Sequence, residues 1–222
     1  MGGWADSRTA ARAIVQCCRR LWEAGLIAGA AGNVSVRFGP DRVLVTPSGL
    51  LKCDLAVRDL VEVDLAGTPR RGATQHGSRR ASSELDLHLR VYRRRPACGA
   101  VVHAHPPAAT AFAVAGEALP ADVLPETILY LGPVPLVPYA MTGTPALGDA
   151  VEPFLDRHVA VLLANHGAVA WGPDLTTAHI RMESLEHSAR ILLAARALGQ
   201  ITRLTAEQVS ALDQRRGTPR DG

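Results

Sequence analysis

Aromatic residues make up only 4% of this 222-residue chain, and other shortages narrow the field further. So few rings, almost none interleaved with basic residues, and no matching module argue against nucleic-acid binding. No apolar run approaches the roughly 20 residues needed to span a bilayer, so no membrane partner is expected. Cysteine is sparse. Cys17, Cys18, Cys53 and Cys98 form neither a C-x-x-C pair nor the framework of a small secreted domain, and read as buried small hydrophobes in a reducing compartment. The opening Met-Gly-Gly-Trp-Ala-Asp lacks the basic-then-apolar order of a signal peptide, so the cytoplasm is the expected location. Net charge is slight, a formal +3, carried by arginine runs such as Arg93-Arg94-Arg95 that read as solvated surface. A weak positive field suits an anionic substrate. Neither an internal repeat nor a clear linker divides the chain.

What is present describes an ordinary globular protein, 47% hydrophobic and 20% charged, long enough for one domain with a well-buried core. Ser7 can cap a first helix that stops at Gly25. Strands are expected at Asn33–Phe38, Val43–Thr46, Leu60–Leu65, Ala100–His105, Val134–Val137, Val159–Leu163 and Ala168–Trp171, from β-branched enrichment, alternation and flanking turn residues. The polar stretch 67–80 reads as a loop. A helix should start near Ser82 or Ser83, with Asp86 completing a capping box. Further helices are expected at 108–115 and 146–155, and a long one capped by Asp174 should end at Gly199. Helices and strands interspersed in this way make a single α/β domain over residues 1–202, with a weakly specified tail over 203–222.

The most informative feature is the pair His103 and His105 in the apolar run Ala100–His105. Residues two apart share one face of a strand, so both imidazoles point the same way from a segment too apolar to be a solvated loop. With Glu84 upstream and His166 in Ala-Asn-His-Gly downstream, the chain offers three imidazoles and one carboxylate. That set suits a catalytic zinc or a similar divalent ion. The remaining histidines (His76, His88, His158, His179 and His187) read as structural or surface residues. Gly32-Asn33, Ser48-Gly49 and Ser82-Ser83 are each ordinary turn or cap signals. Gathered at one metal centre they would make an anion pocket.

Ala31-Gly-Asn-Val-Ser35, Thr46-Pro-Ser-Gly49, Ser82-Ser-Glu84, Val101-Val-His-Ala-His105 and Asn165-His-Gly167 resemble, in order and spacing, the class II aldolase/adducin family. The resemblance runs from the first helix through the long helix ending at Gly199. It implies a three-layer α/β/α fold with a mixed, mainly antiparallel central sheet. It implies that His103, His105 and His166 bind zinc, with manganese or cobalt as substitutes. Glu84 would be the fourth ligand and, once released, the general acid/base. Gly32, Asn33, Ser48, Gly49, Ser82 and Ser83 would hold the phosphate of a small sugar phosphate. The implied assembly is a homotetramer with active sites at subunit boundaries.

The activity so implied is cleavage of a ketose or deoxyketose 1-phosphate, of the L-fuculose 1-phosphate or 5-deoxy- or 5-methylthioribulose 1-phosphate type. Its products are dihydroxyacetone phosphate and a small aldehyde. Same-family alternatives are a sugar-phosphate epimerase, a dehydratase and a decarboxylase of a phosphorylated sugar acid; a non-catalytic, adducin-like interaction module is more remote. No tyrosine follows Tyr139, so a tail tyrosine of the fuculose-phosphate type has no counterpart. Glu126 or Tyr130, in the Pro-rich middle, is the candidate to protonate the aldehyde oxygen.

Overall fold

The computed structural model describes residues 6–70 and 79–216. Its strands are β1 (Asn33–Gly39), β2 (Arg42–Val45), β3 (Val61–Val63), β4 (Ala100–Ala104), β5 (Leu136–Val137), β6 (Ala160–Leu163) and β7 (Gly167–Gly172). They form one seven-stranded sheet in the order β3-β2-β1-β4-β7-β6-β5. Every pairing is antiparallel except that of β5 with β6, so the sheet is mixed and mainly antiparallel, as expected.

The period-2 alternation of each strand splits the interior into two cores. Val34, Val36, Val102 and Ala170 face one side with residues of α1 (Ser7–Glu23), α3 (Pro107–Ala115) and α6 (Leu175–Leu198). Val45, Val101, Val169 and Trp171 face the other with residues of α2 (Leu85–Arg94) and α5 (Pro145–Val151). Helices therefore cover both faces of the sheet in a single α/β domain. Side chains such as Ile14, Leu21, Met182 and Leu185 are fully buried, each contributing roughly 1.5–3 kcal/mol.

Local details correct the sequence reading. Asp6, not Ser7, caps α1 by accepting from Thr9 N at 2.7 Å, whereas Asp174 caps α6 as expected. The capping box at Ser83 and Asp86 does not form. Glu84 occupies the cap position of α2 without a capping bond, because its carboxylate is engaged with the histidines, and Ser82 Oγ accepts from Glu84 N at 3.3 Å. The expected helix 146–155 divides into α5 and a 3-10 turn at Glu152–Phe154. The proline-rich middle contains a short helix, α4 (Pro125–Tyr130). The tail holds α7 (Ala206–Asp213), capped by Thr205, and is docked where Leu204 N donates to Asp122 O at 2.8 Å. Much of the expected polar loop, residues 71–78 with His76, lies outside the described residues. No helix among the described residues is long and apolar enough to cross a membrane.

Candidate metal centre

Strand register places the first two histidines. On β4, His103 lies opposite Asn33 of β1 and opposite Val169 of β7, on the α2 side of the sheet, with no exposed surface. A carbonyl can only accept, so the 2.9 Å contact of His103 Nδ1 with Ala168 O puts a hydrogen on Nδ1 and turns Nε2 inward. His105 follows immediately after the strand. Its ring packs so closely on β7 that a Cβ at Gly167 would stand 2.8 Å from His105 Cδ2 and 2.6 Å from Ala104 O. His166 comes from the tight turn between β6 and β7. Asn165 supplies that turn's left-handed residue, at φ 56°, a conformation asparagine tolerates better than most. Glu84 enters from the N-cap position of α2.

The four side chains converge. Glu84 Oε2 lies 3.1 Å from His103 Nε2, and Glu84 Oε1 lies 3.3 Å from His166 Nε2. His105 Nε2 faces His103 Nε2 at 3.0 Å. Ligand atoms of the three histidines all fall within 4.8 Å of one another. Burial lowers His105 and His166 to about 4 each, helped by the charge of His103, so both rings are neutral at neutral pH. Burial alone would raise Glu84. The hydrogen bond and charge of His103, with the Asn33 amide, outweigh it and hold the carboxyl well below its usual range. For His105, His166 and Glu84, a neutral imidazole or an ionised carboxylate is the form that binds a divalent cation. Glu84 Oε1 and His166 Nδ1 are buried without a hydrogen-bond partner. A cation among these atoms would compensate the carboxylate, and the donor set fits one.

Behind the cluster runs a polar chain that the sequence reading missed. Asn33 Nδ2 donates to Glu84 Oε2 at 2.8 Å, and the Asn33 oxygen accepts from His88 Nε2. His88 Nδ1 then meets Ser35 Oγ at 2.7 Å, and Ser35 Oγ meets Tyr92 OH at 2.7 Å. His88, read from sequence as a structural or surface residue, is completely buried, and burial lowers it to about 3. The spacing alone does not reveal the chain, because the partners lie on another element. Glu84, His88 and Tyr92 recur every fourth residue along one face of α2, opposite Asn33 and Ser35 two apart on β1.

The cluster opens onto a pocket of about 210 Å³. All six proposed anion-binding residues line it: Gly32, Asn33, Ser48, Gly49, Ser82 and Ser83. Gly32 has no alternative, since at φ 73° a Cβ would stand 2.7 Å from Ile27 Cγ2 and 2.9 Å from His103 O. Lys52 and Thr142 also line the pocket and were not foreseen. Glu126 and Tyr130 are not among the lining residues: they sit on α4, which packs against α6 and α7. His158, His179 and His187 stay outside the cluster.

The sequence profile of the class II aldolase and adducin N-terminal domain matches residues 12–193. A 5-deoxy-D-ribulose 1-phosphate aldolase of Bacillus thuringiensis is 36% identical over 203 residues, covering 90% of this chain and 91% of the relative. A 3-oxo-tetronate 4-phosphate decarboxylase of Haemophilus influenzae is 32% identical over 206 residues, covering 91% and 95%. The crystal structure of an L-fuculose-1-phosphate aldolase from Thermus thermophilus superimposes with a TM-score of 0.75 at 36% identity, covering 87% of this chain and 96% of that one.

Proposed function

The chain belongs to the class II aldolase and adducin family, and from that footing we propose that it is a metal-dependent aldehyde-lyase. It cleaves a ketose or deoxyketose 1-phosphate to dihydroxyacetone phosphate and a small aldehyde. The observation carrying this reading is the convergence of three imidazoles and Glu84 beside a pocket lined by six small or polar turn residues. A divalent cation held by His103, His105, His166 and Glu84 would act as a Lewis acid toward the substrate's carbonyl oxygen. The turns at Gly32-Asn33, Ser48-Gly49 and Ser82-Ser83 hold the phosphate and so fix the carbon skeleton relative to Glu84. Glu84 moves the proton at carbon 3 of dihydroxyacetone phosphate, and desolvation on substrate entry brings its basicity into range. Zinc, a cytoplasmic location and a homotetramer with sites at subunit boundaries belong to the same reading. Exposed Tyr139 and Met141, adjoining Thr142 of the pocket wall, are surfaces a neighbouring subunit would cover.

A second reading is supported by the Haemophilus relative: a decarboxylase of a phosphorylated 3-oxo sugar acid. Loss of carbon dioxide from 3-oxo-tetronate 4-phosphate also yields dihydroxyacetone phosphate, so one pocket serves both reactions. The chain carries no tyrosine after Tyr139, and decarboxylation leaves no aldehyde oxygen whose proton must be managed.

Proton NMR of metal-loaded protein with dihydroxyacetone phosphate in D₂O tests the proton step, with Glu84→Gln as control. Stereospecific loss of one carbon-3 signal in the wild type alone, followed by condensation with lactaldehyde, supports the aldolase. Carbon dioxide release from 3-oxo-tetronate 4-phosphate without condensation transfers the assignment to the decarboxylase. Absence of both reactions rejects the lyase reading.

A further inference from the structure

Of the 24 lysine and arginine residues in the chain, Lys52 is the single lysine. It is 2% exposed and lines the pocket beside the histidine cluster. Its Nζ donates to two neutral acceptors, Ala30 O at 2.8 Å and Leu50 O at 3.0 Å. Among the described residues no carboxylate pairs with it, and the one nearby ionisable group acting on it is Cys18. A buried ammonium without a counter-ion is costly, and two carbonyls compensate only part of the lost hydration.

We propose that Lys52 is the cationic anchor of the phosphate subsite, meeting the anionic end of the substrate directly. This rests on the sugar-phosphate reading above and adds the group that makes the pocket select a dianion over a neutral sugar. An ammonium has three donors, and the two carbonyls use two of them, leaving one for the pocket. Apart from histidine, Lys52 is the one basic side chain lining the pocket among the described residues; the other polar groups there are hydroxyls and amides, opposed by the carboxylate of Glu84. The two carbonyls also belong to the segments carrying Gly32-Asn33 and Ser48-Gly49, so the same ammonium holds together the two turns that flank the anion. Arginine serves every other basic position, but its wide planar fork is no substitute for a compact charge seated between two carbonyls.

Inorganic phosphate is the probe, because its binding reads the subsite without turnover. Melting temperature and calorimetric affinity are compared for wild type, Lys52→Met and Lys52→Arg. Phosphate is expected to raise the wild-type melting temperature. Lys52→Met should lose that rise, with affinity weakened at least about tenfold by the missing charge-assisted hydrogen bond. Its melting temperature without phosphate should stay close to that of wild type, because loss of an uncompensated buried charge offsets the two carbonyls left without their donor. Lys52→Arg should not restore binding. A phosphate-induced rise that survives in Lys52→Met overturns the anchor while leaving the lyase reading intact; no rise in wild type overturns the phosphate pocket as well. A second measurement needs no variant: acetic anhydride transfers an acetyl group to the unique lysine amine, releasing acetate, and mass spectrometry reads the product. Phosphate should slow acetylation of Lys52 and leave the N-terminal amine unaffected. Equal rates with and without bound phosphate overturn the proposal.

Discussion

His88 Nε2 donates to the carboxamide oxygen of Asn33, and this one bond decides which end of the amide faces Glu84. With the oxygen taken by His88, the Asn33 NH₂ is left for the carboxylate. His88→Gln places a donor where Nε2 stands, whereas His88→Asn keeps only the end that meets Ser35. Turnover is therefore expected to fall by about 10–100-fold in His88→Asn, the usual cost of losing a group that orients a metal ligand, and to stay within an order of magnitude of wild type in His88→Gln. Equal losses in both, tracking their melting temperatures, would mean that His88 is only a packing residue.

His103→Ala removes the proposed ligand whose orientation is fixed by Ala168 O. Stoichiometric divalent metal, measured by elemental analysis after dialysis, should drop from about one per chain to trace. Retention of a full equivalent would place the ion elsewhere.

Acid should destabilise the metal-free protein well before its carboxylates titrate. His105, His166 and His88 have folded values of about 4, 4 and 3, below the ordinary value of 6.5. Between those limits the unfolded chain binds more protons than the folded one, so stability falls as pH falls from neutrality. Glu84 acts in the same direction at lower pH. Its value is held low, so its contribution is fully present above the ordinary glutamate range and is lost only at lower pH. Melting temperatures recorded between about pH 7 and pH 5 should decline, and the decline should be shallower in His88→Gln. A flat profile would contradict three buried neutral imidazoles.

Glu186, 2% exposed on α6, accepts from Ala108 N at 3.2 Å and Ala109 N at 2.9 Å, capping α3 just after His105 and Pro106. Glu186→Ala leaves those amides and Arg190 without their acceptor. Denaturant titration should show a loss of about 2 kcal/mol; a change within error would mean that water replaces the carboxylate.

The sequence exposed the candidate metal site more readily than its support. His103 and His105 are legible because a strand's period of two is strict, and the small-residue turns because glycine and serine mark them. His88 escaped because an isolated histidine on an amphipathic helix looks like any other. Only the strand opposite, with Asn33 and Ser35 in register, gives it partners, and pairing across 55 residues is a tertiary fact. Lys52 escaped for a similar reason: nothing local marks a lysine as buried. The failed capping box at Ser83 and Asp86 shows the reverse, a sound local signal overridden because Glu84 is drawn to the histidines.

β4 is the middle strand of the seven, yet its two neighbours, β1 and β7, begin at residues 33 and 167, far from it in the chain. Neither half of the polypeptide can assemble the cluster alone during synthesis, because His166 joins it only after the β6–β7 hairpin has closed onto β4. Such distant closures are slow and are gained or lost with the whole domain. The backbone amide of His103 should then exchange with solvent only through global unfolding, so that an intact site and a completely folded molecule are the same population.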